Sequence, residues 1–258
     1  MQDIFDLTGK IAVVTGGAGL IGRQAVSALR AHGAKVYIAE LDLDRARAVI
    51  ESPGFSGVES VSLDITSEES IAVMAREVIA REGRIDILMN NAYPRTPDWG
   101  ALFEDIKPES WRANVDMHMN GYFLCCQIVG EEMRKRKRGC IINMGSIYGI
   151  VGPDFSLYKG TTLTNAAAYS AIKGGIINFT RYLASYYGPH GVRVNCLSPG
   201  GIQDGQSEAF LKNYAERCPM GRMGNAGELA GSIVFLASDA ASYITGHNLV
   251  VDGGWTAI

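Results

Sequence analysis

The chain has 258 residues, 24 lysines and arginines, 27 aspartates and glutamates, and a formal net charge of −3. This balance supplies no general attraction for nucleic acid or for anionic membrane surfaces, so neither is expected as a partner. The five cysteines form no CxxC pair and lie mostly in apolar segments, which predicts buried reduced thiols and no metal site. Residues 1–10 are acidic where a signal peptide would be basic, and no apolar run reaches membrane-spanning length. These features predict a cytoplasmic protein.

Short β-branched segments alternate with longer amphipathic segments along the whole chain, which predicts repeated βα units around a buried parallel sheet. We therefore expect an α/β fold: one Rossmann-type doubly wound domain over residues 1–258, with a seven-stranded parallel sheet and helices on both faces. The predicted strands are Ile11–Thr15, Lys35–Glu40, Val58–Leu63, Ile85–Asn90, Gly139–Met144, Arg193–Leu197 and Asn248–Val251. The predicted helices are Ile21–His32, Asp44–Ile50, Glu68–Glu82, Pro108–Lys137, Ala166–Tyr187 and Gly227–Leu236.

The first predicted strand runs into a glycine-rich turn that opens a helix. Gly17, Gly19 and Gly22 have the spacing G-x-G-x-x-G, which lets the backbone approach a pyrophosphate and directs helix N–H groups at its charge. A purely structural turn is the alternative in a chain with 31 glycines, but the position after a strand favours dinucleotide binding. The residues of this turn predicted to contact the cofactor are Gly16, Gly19, Leu20, Ile21 and Gly22.

Glu40 ends the second predicted strand, about 20 residues beyond the glycine turn, where an acidic residue hydrogen-bonds the ribose hydroxyls of NAD. A carboxylate there also repels the 2′-phosphate of NADP, so NAD is predicted as the cofactor and NADP is the less favoured alternative. Arg45 and Arg47 lie close enough in sequence to keep that alternative open, although a solvated helix face explains them equally well.

Tyr169 and Lys173 form the single Tyr-x-x-x-Lys pattern of the chain. A spacing of four within a predicted helix places both side chains on one face, so the ammonium can lie near the phenol oxygen. The pattern alone is hardly more frequent than chance, and a core tyrosine with a snorkelling lysine is the alternative. In a nucleotide-binding chain, however, the pair predicts acid–base chemistry.

Ordered motifs along nearly the whole chain resemble the short-chain dehydrogenase/reductase family. Besides the glycine turn and the Tyr169–Lys173 pair, these motifs are Asp64-Ile65, Asn90-Asn91-Ala92, Asn143-Met144-Gly145-Ser146, Asn195-Cys196-Leu197-Ser198-Pro199-Gly200 and Ile244-Thr245-Gly246. The resemblance implies that Asp64 and Ile65 flank the adenine, and that Asn91 and Ala92 border the cofactor. It also implies that Pro199 and Ile202 lie beside the nicotinamide, with Tyr169 and Lys173 contacting the cofactor as well.

The resemblance further implies a division of catalytic work. Lys173, aided by the positive charge of the oxidised nicotinamide, is expected to lower the pKa of Tyr169 from about 10 to near 7, a stabilisation of roughly 4 kcal/mol. Tyr169 then acts as general base in alcohol oxidation or as general acid in ketone reduction. Ser146 hydrogen-bonds the reacting oxygen. A homotetramer or homodimer is implied in the same way.

One catalytic position departs from the family pattern. The slot that usually holds an asparagine, which positions a water beside the lysine, is His118 when counted from Trp111. We hypothesise that the imidazole replaces the asparagine in proton transfer, because histidine titrates near neutrality. A structural histidine is the alternative, and a helix bulge could instead bring Asn114 or Asn120 into place. Leu20 is a second departure, at a position where relatives often have glycine.

Three connections, 93–107, 147–165 and 200–225, are expected to surround a substrate pocket, since loops of such length are usually functional. Ser146 and Tyr169 are 23 residues apart (169 − 146), more than usual in the family, and the extra residues fall in 153–165. Their hydroxyl, charged and aromatic groups suit a small polar substrate such as a sugar, polyol or hydroxy acid. Arg95 could bind a carboxylate or phosphate, with a surface arginine as the alternative.

The sequence thus predicts an NAD-dependent oxidoreductase acting on a secondary alcohol or ketone. This variant is similar to family members of bacterial sugar and glycan pathways. A catalytically silent NAD-binding sensor of the same fold is the second interpretation.

Overall fold

The computed structural model describes residues 3–161 and 164–258. Within them, seven parallel strands form one sheet in the order β3-β2-β1-β4-β5-β6-β7. The strands are β1 Ile11–Thr15, β2 Lys35–Glu40, β3 Glu59–Ser62, β4 Ile87–Asn90, β5 Gly139–Met144, β6 Val192–Pro199 and β7 Asn248–Val251. The predicted α/β fold and seven-stranded parallel sheet are confirmed. The organisation of residues 1–258 as a single domain stays a prediction.

Helices cover both faces of this sheet because successive strand residues point to opposite sides. Ile11 and Val13 of β1 pack with one set of helices, whereas Ala12 and Val14 pack with the other. The first set is α3 Glu68–Glu82, α5 Gly121–Lys135 and α6 Ala167–Tyr187. The second set is α1 Leu20–Ala31, α2 Leu43–Ile50 and α8 Ala230–Ala237. Two further helices are α4 Pro108–Val115 and α7 Glu208–Arg217.

The strand order reverses direction between β1 and β4, and crossovers on either side of that point lead away from it. Such a reversal opens a crevice beyond the carboxyl ends of the strands, where doubly wound proteins bind their ligands. The residues that follow β1, β2, β4, β5 and β6 therefore converge on this crevice. Most of the residues predicted for the site belong to those segments.

The predicted helix Pro108–Lys137 is not continuous. A π-helical turn, Asp116–Asn120, separates α4 from α5. Such turns insert an extra residue into a helix and are frequent at functional sites. The sequence has helical periodicity on both sides of this turn and therefore did not predict it. The turn changes which side chains face the sheet.

The predicted loop 200–225 contains helix α7, which the sequence reading missed. Ser207 begins this helix by accepting a hydrogen bond from the backbone N–H of Phe210 at 3.4 Å. Phe210 and Tyr214 of α7 pack with Leu157 and Trp255 in a third apolar cluster beside the sheet. This cluster supports the loop 147–165, of which residues 162 and 163 lie outside the described residues.

No helix of the described residues is long and apolar enough to cross a membrane. The five cysteines are buried free thiols, as predicted. The cytoplasmic location stays a prediction.

Candidate active site

A cavity of about 910 Å³ lies at the carboxyl ends of the strands. Almost all residues predicted for the site line this cavity, although they are spread over nearly 190 positions of the sequence. Those that line it are Gly16, Gly19, Leu20, Ile21, Glu40, Asp64, Ile65, Asn91, Ala92, Ser146, Tyr169, Lys173, Pro199 and Ile202. Gly22 and His118 are the two predicted site residues that do not line it.

The glycine turn lines the cavity with bare backbone. Gly16 has a φ of +62°, and a Cβ there would lie 2.8 Å from the Cα of Ala92. Gly19 is the N-cap of α1 and offers no side chain to its first turn, so that end of the helix is open to an anion. These features fit the pyrophosphate of a dinucleotide.

Gly22 does not contact the cavity, and its predicted role in cofactor contact is corrected. A Cβ at this position would lie 2.2 Å from the carbonyl oxygen of Gly16. The residue is glycine because α1 packs directly against the turn, which is the helix-packing role of the third glycine in such motifs.

The two predicted carboxylates, Glu40 and Asp64, lie at one end of the cavity. An oxygen of Glu40 accepts a hydrogen bond from the backbone N–H of Ala18 at 3.3 Å, so the carboxylate faces the glycine turn. Asp64 accepts hydrogen bonds from the backbone N–H and the hydroxyl of Thr66 at 2.9 and 2.7 Å. Arg45 lines the same end. This arrangement fits the adenosine half of the cofactor and leaves one cation beside its ribose.

Asn91 joins the end of β4 to the glycine turn. Its amide nitrogen donates to the carbonyl oxygens of Thr15 and Gly16 at 3.1 and 3.0 Å. The hydroxyl of Thr15 accepts in return from the backbone N–H groups of Asn91 and Ala92. The cofactor role and the structural role considered for this asparagine are compatible, since it lines the cavity while holding the turn.

Tyr169, Lys173 and Ser146 meet at the inner part of the cavity. Lys173 is buried, and its ammonium donates to the carbonyl oxygen of Met144 at 2.6 Å. The ammonium lies 5.7 Å from the centre of the Tyr169 ring. Ser146 lies two residues after the end of β5, and its hydroxyl accepts from the backbone N–H of Tyr148 at 3.2 Å. The spacing of four along α6 therefore places both side chains at the same cavity.

Burial changes the acidity of both members of the pair. Burial lowers the pKa of Lys173 to about 7. Burial also raises the pKa of Tyr169, and the hydrogen bond with Ser146 offsets part of that rise. The lowering toward 7, expected with the oxidised nicotinamide bound, stays a prediction, because burial by the protein itself acts in the opposite direction.

His118 lies next to Lys173. Its Nε2 is 3.4 Å from the Lys173 ammonium nitrogen, and its Nδ1 has no partner among the described residues. Burial and the charge of Lys173 lower the pKa of His118 well below 6.5, which leaves the imidazole neutral. Neither asparagine takes this place, since Asn114 bonds to Thr96 and Asn120 to Asp116.

Tyr93 is a site residue that the sequence reading did not single out. Its ring packs edge-on against those of Tyr169, His118 and Trp99, with centres 5.7, 5.2 and 5.6 Å apart. Its place directly after Asn91 and Ala92, at the end of a cofactor-lining strand, was the available signal. Other lining residues near the catalytic group fall within the predicted pocket loops 147–165 and 200–225, although none was predicted individually: Tyr148, Tyr158, Thr164, Gln206, Phe210 and Tyr214.

Comparisons with known proteins agree with this geometry. Residues 16–256 match the family model described as enoyl-(acyl carrier protein) reductase. The chain is 34% identical over 262 residues to a 2,5-dichloro-2,5-cyclohexadiene-1,4-diol dehydrogenase of Sphingobium indicum, covering 98% of this chain and 99% of that protein.

Two solved structures share the fold and nearly the full length of the chain. One is a short-chain dehydrogenase from Leptospira borgpetersenii with bound NAD⁺, 34% identical, with a TM-score of 0.88 and coverage of 99% of this chain and 96% of that one. The other is a gluconate 5-dehydrogenase from Burkholderia cenocepacia in complex with NADP and tartrate, 29% identical, with a TM-score of 0.88 and coverage of 99% and 98%. The ordered motifs, the cavity and these relatives agree: the chain belongs to the short-chain dehydrogenase/reductase family of oxidoreductases.

Proposed function

We propose that the protein is an NAD-dependent oxidoreductase that interconverts a secondary alcohol and a ketone on a small polar substrate. The observation that carries this proposal is the convergence of Ser146, Tyr169 and Lys173 in one cavity that also holds the glycine turn and Glu40. The cavity thus combines an acid–base group with a dinucleotide site.

The proposed roles follow from the positions of the side chains. When bound, the nicotinamide supplies or accepts the hydride. Tyr169, half-buried beside the cavity, exchanges a proton with the substrate oxygen. Ser146 hydrogen-bonds the same oxygen and fixes its position. Lys173, held by the carbonyl oxygen of Met144, stabilises the ionised phenol.

A small polar substrate is supported by the lining near Tyr169. Tyr148 and Tyr158 contribute phenol groups there, Thr164 a hydroxyl and Gln206 an amide. These groups donate and accept hydrogen bonds, which suits a hydroxylated molecule better than a long acyl chain. Two of the relatives have names that fit this choice, a cyclic diol dehydrogenase and a gluconate 5-dehydrogenase.

NAD is proposed over NADP on the position of Glu40, whose carboxylate faces the glycine turn. We expect NADH to bind more tightly than NADPH. Glu40→Ser is expected to lower the ratio of the NADPH dissociation constant to the NADH dissociation constant on the order of tenfold, because a repulsive charge is removed. Nicotinamide fluorescence measures both constants. Arg45→Ala in the Glu40→Ser background is expected to reverse the gain in NADPH affinity, since Arg45 is then the cation that pairs with the 2′-phosphate. Equal affinities in the unmodified protein would contradict the proposal.

The proposed activity is tested by NADH formation across a panel of cyclic alcohols, polyols, sugars and hydroxy acids. We expect turnover with at least one chemical class in the panel. NADH binding without turnover on any member would instead support the silent sensor, the second interpretation from the sequence.

We propose that His118 positions Lys173. A neutral imidazole accepts a hydrogen bond from the ammonium through Nε2 and so favours the charged form of Lys173. In His118→Leu this acceptor is lost, so the pKa of Lys173 is expected to fall further. The decline of kcat on the alkaline side of the pH profile is then expected to begin about one pH unit lower.

A pH profile of kcat for the native protein, His118→Leu and His118→Asn measures this effect. The asparagine variant keeps an acceptor and is expected to shift less. An equal loss of kcat at every pH would assign His118 a purely structural role.

We also propose self-association into a homotetramer or homodimer. An aromatic row runs along the exposed faces of α5 and α6, formed by Phe123, Phe179, Tyr182 and Tyr186, with successive ring centres 6.2, 6.3 and 6.2 Å apart. Tyr182 is 63% exposed. Exposed apolar patches of this kind mark interaction sites, and light scattering measures the mass of the assembly.

A further inference from the structure

Arg95 lies at the rim of the cavity, on the side of the catalytic tyrosine. Its guanidinium is 5.6 Å from the centre of the Tyr93 ring. The same ring packs edge-on against Tyr169, with centres 5.7 Å apart. A single aromatic side chain therefore separates the guanidinium from the proposed proton donor and acceptor.

The positive charge of Arg95 has no acidic partner within the part of the chain that the structure describes. None of the ion pairs found among the described residues includes this side chain. The nearby carboxylate Asp98 accepts a hydrogen bond from Ser110 instead. The two acidic residues lining the described cavity, Glu40 and Asp64, face the adenosine end. The substrate end thus carries a net positive charge.

The backbone around Arg95 is held in place, which a merely solvated arginine does not need. Asn114 is 3% exposed, and its side-chain oxygen accepts from the backbone N–H of Thr96 at 3.0 Å. Its amide nitrogen donates to the hydroxyl of Thr96 at 2.8 Å and to the carbonyl oxygen of Ser110 at 2.9 Å. On the other side, Pro94 restricts the chain through its ring. These constraints fix the backbone from which the Arg95 side chain extends.

We propose that Arg95 binds a carboxylate of the substrate, so that the substrate class is a hydroxy acid and its keto acid. This inference rests on the proposed function. A guanidinium matches the two oxygens of a carboxylate in bidentate geometry. The cavity offers one such cation at this end besides the buried Lys173, which suits a single negative charge better than a phosphate dianion. The hydroxyl to be oxidised then faces Tyr169 while the acid group faces the rim.

The test compares hydroxy acids with their neutral amides, for example gluconate with gluconamide and trans-4-hydroxycyclohexanecarboxylate with its carboxamide. We expect the native protein to favour the acid. Arg95→Met is expected to lower kcat/KM for the acid ~10- to 100-fold, mainly through KM, and to leave the amide unchanged. Arg95→Lys is expected to recover part of the loss. The exposed Arg112, outside the cavity, serves as a matched control through Arg112→Met.

Three outcomes would overturn the inference: no preference for any acid over its amide, an equal loss on acid and amide in Arg95→Met, or no oxidation of any acid. Failure of the proposed function looks different. In that case neither charged nor neutral alcohols of the panel yield NADH, whereas failure of the Arg95 inference alone leaves the neutral alcohols as good substrates.

Discussion

Tyr169→Phe is expected to lower kcat about 10²- to 10⁴-fold in both directions of the reaction. The exchange removes a single oxygen and keeps the ring that packs against Tyr93 and Trp99. The cavity therefore keeps its shape, and the group that moves the proton is lost. NADH formation with a substrate found in the panel measures the effect.

Binding and folding controls separate this loss from a general defect. The dissociation constant for NADH is expected to stay close to that of the native protein, because the glycine turn and Glu40 are untouched. Tyr243→Phe, at a fully exposed tyrosine outside the cavity, is the matched exchange and is expected to leave kcat unchanged. Native-like turnover in Tyr169→Phe would refute the assigned acid–base role.

Lys173→Met is expected to abolish most turnover and to change how stability depends on pH. Burial lowers the pKa of Lys173 from 10.5 to about 7 in the folded protein. Between these values the unfolded chain binds one proton more than the folded chain, so the free energy of unfolding rises with pH. The contribution is about 1.4 kcal/mol per pH unit. Lys173→Met lacks this pH-dependent contribution to the free energy of unfolding.

Urea unfolding of both proteins from pH 6 to pH 9 measures this difference. Below pH 7 both states of the native protein hold the proton, and the two curves are expected to run in parallel. Above pH 7 the native protein is expected to gain stability relative to Lys173→Met. The exposed Lys212 provides the control Lys212→Met, which should follow the native curve throughout. Parallel curves for Lys173→Met across the whole range would contradict the lowered pKa.

The proposed roles give a reason to expect different effects from these two substitutions. In the proposed mechanism, Tyr169 acts on the substrate oxygen, whereas Lys173 acts on Tyr169 and on the cofactor. The buried lysine lowers stability at neutral pH because it lacks a carboxylate partner within the described residues. Its ammonium has the carbonyl oxygen of Met144 and the imidazole of His118 as partners instead. The buried positive charge that the proposed reaction needs thus lowers the free energy of unfolding.

Local sequence features predicted the sheet and the ends of its strands well. β1, β2, β5 and β7 have the predicted bounds, because each is a short apolar or β-branched run closed by glycine or a polar residue. β3 and β4 are shorter than predicted, and β6 is longer. Strand ends depend on pairing with neighbours, which the sequence of one strand does not contain.

Two elements are not predicted by the sequence because their local signals are weak or because they depend on distant residues. Helix α7 has a capping serine, Ser207, but lies within the predicted loop 200–225. The π-helical turn Asp116–Asn120 interrupts a segment with helical periodicity on both sides. This turn brings His118 to Lys173 and leaves Asn114 free to hold the backbone beside Arg95.

The sequence by itself determined the α/β fold, the glycine turn, and the pairing of Tyr169 with Lys173 on one helical face. Each of these depends on residue spacing or on the conformational preference of one residue type, and both are local properties. Tertiary structure alone decided the acidity of that pair, the contact between His118 and Lys173, and the lack of an ion pair for Arg95 within the described residues. Those properties depend on burial and on neighbours distant in sequence, which arise only when the chain has folded.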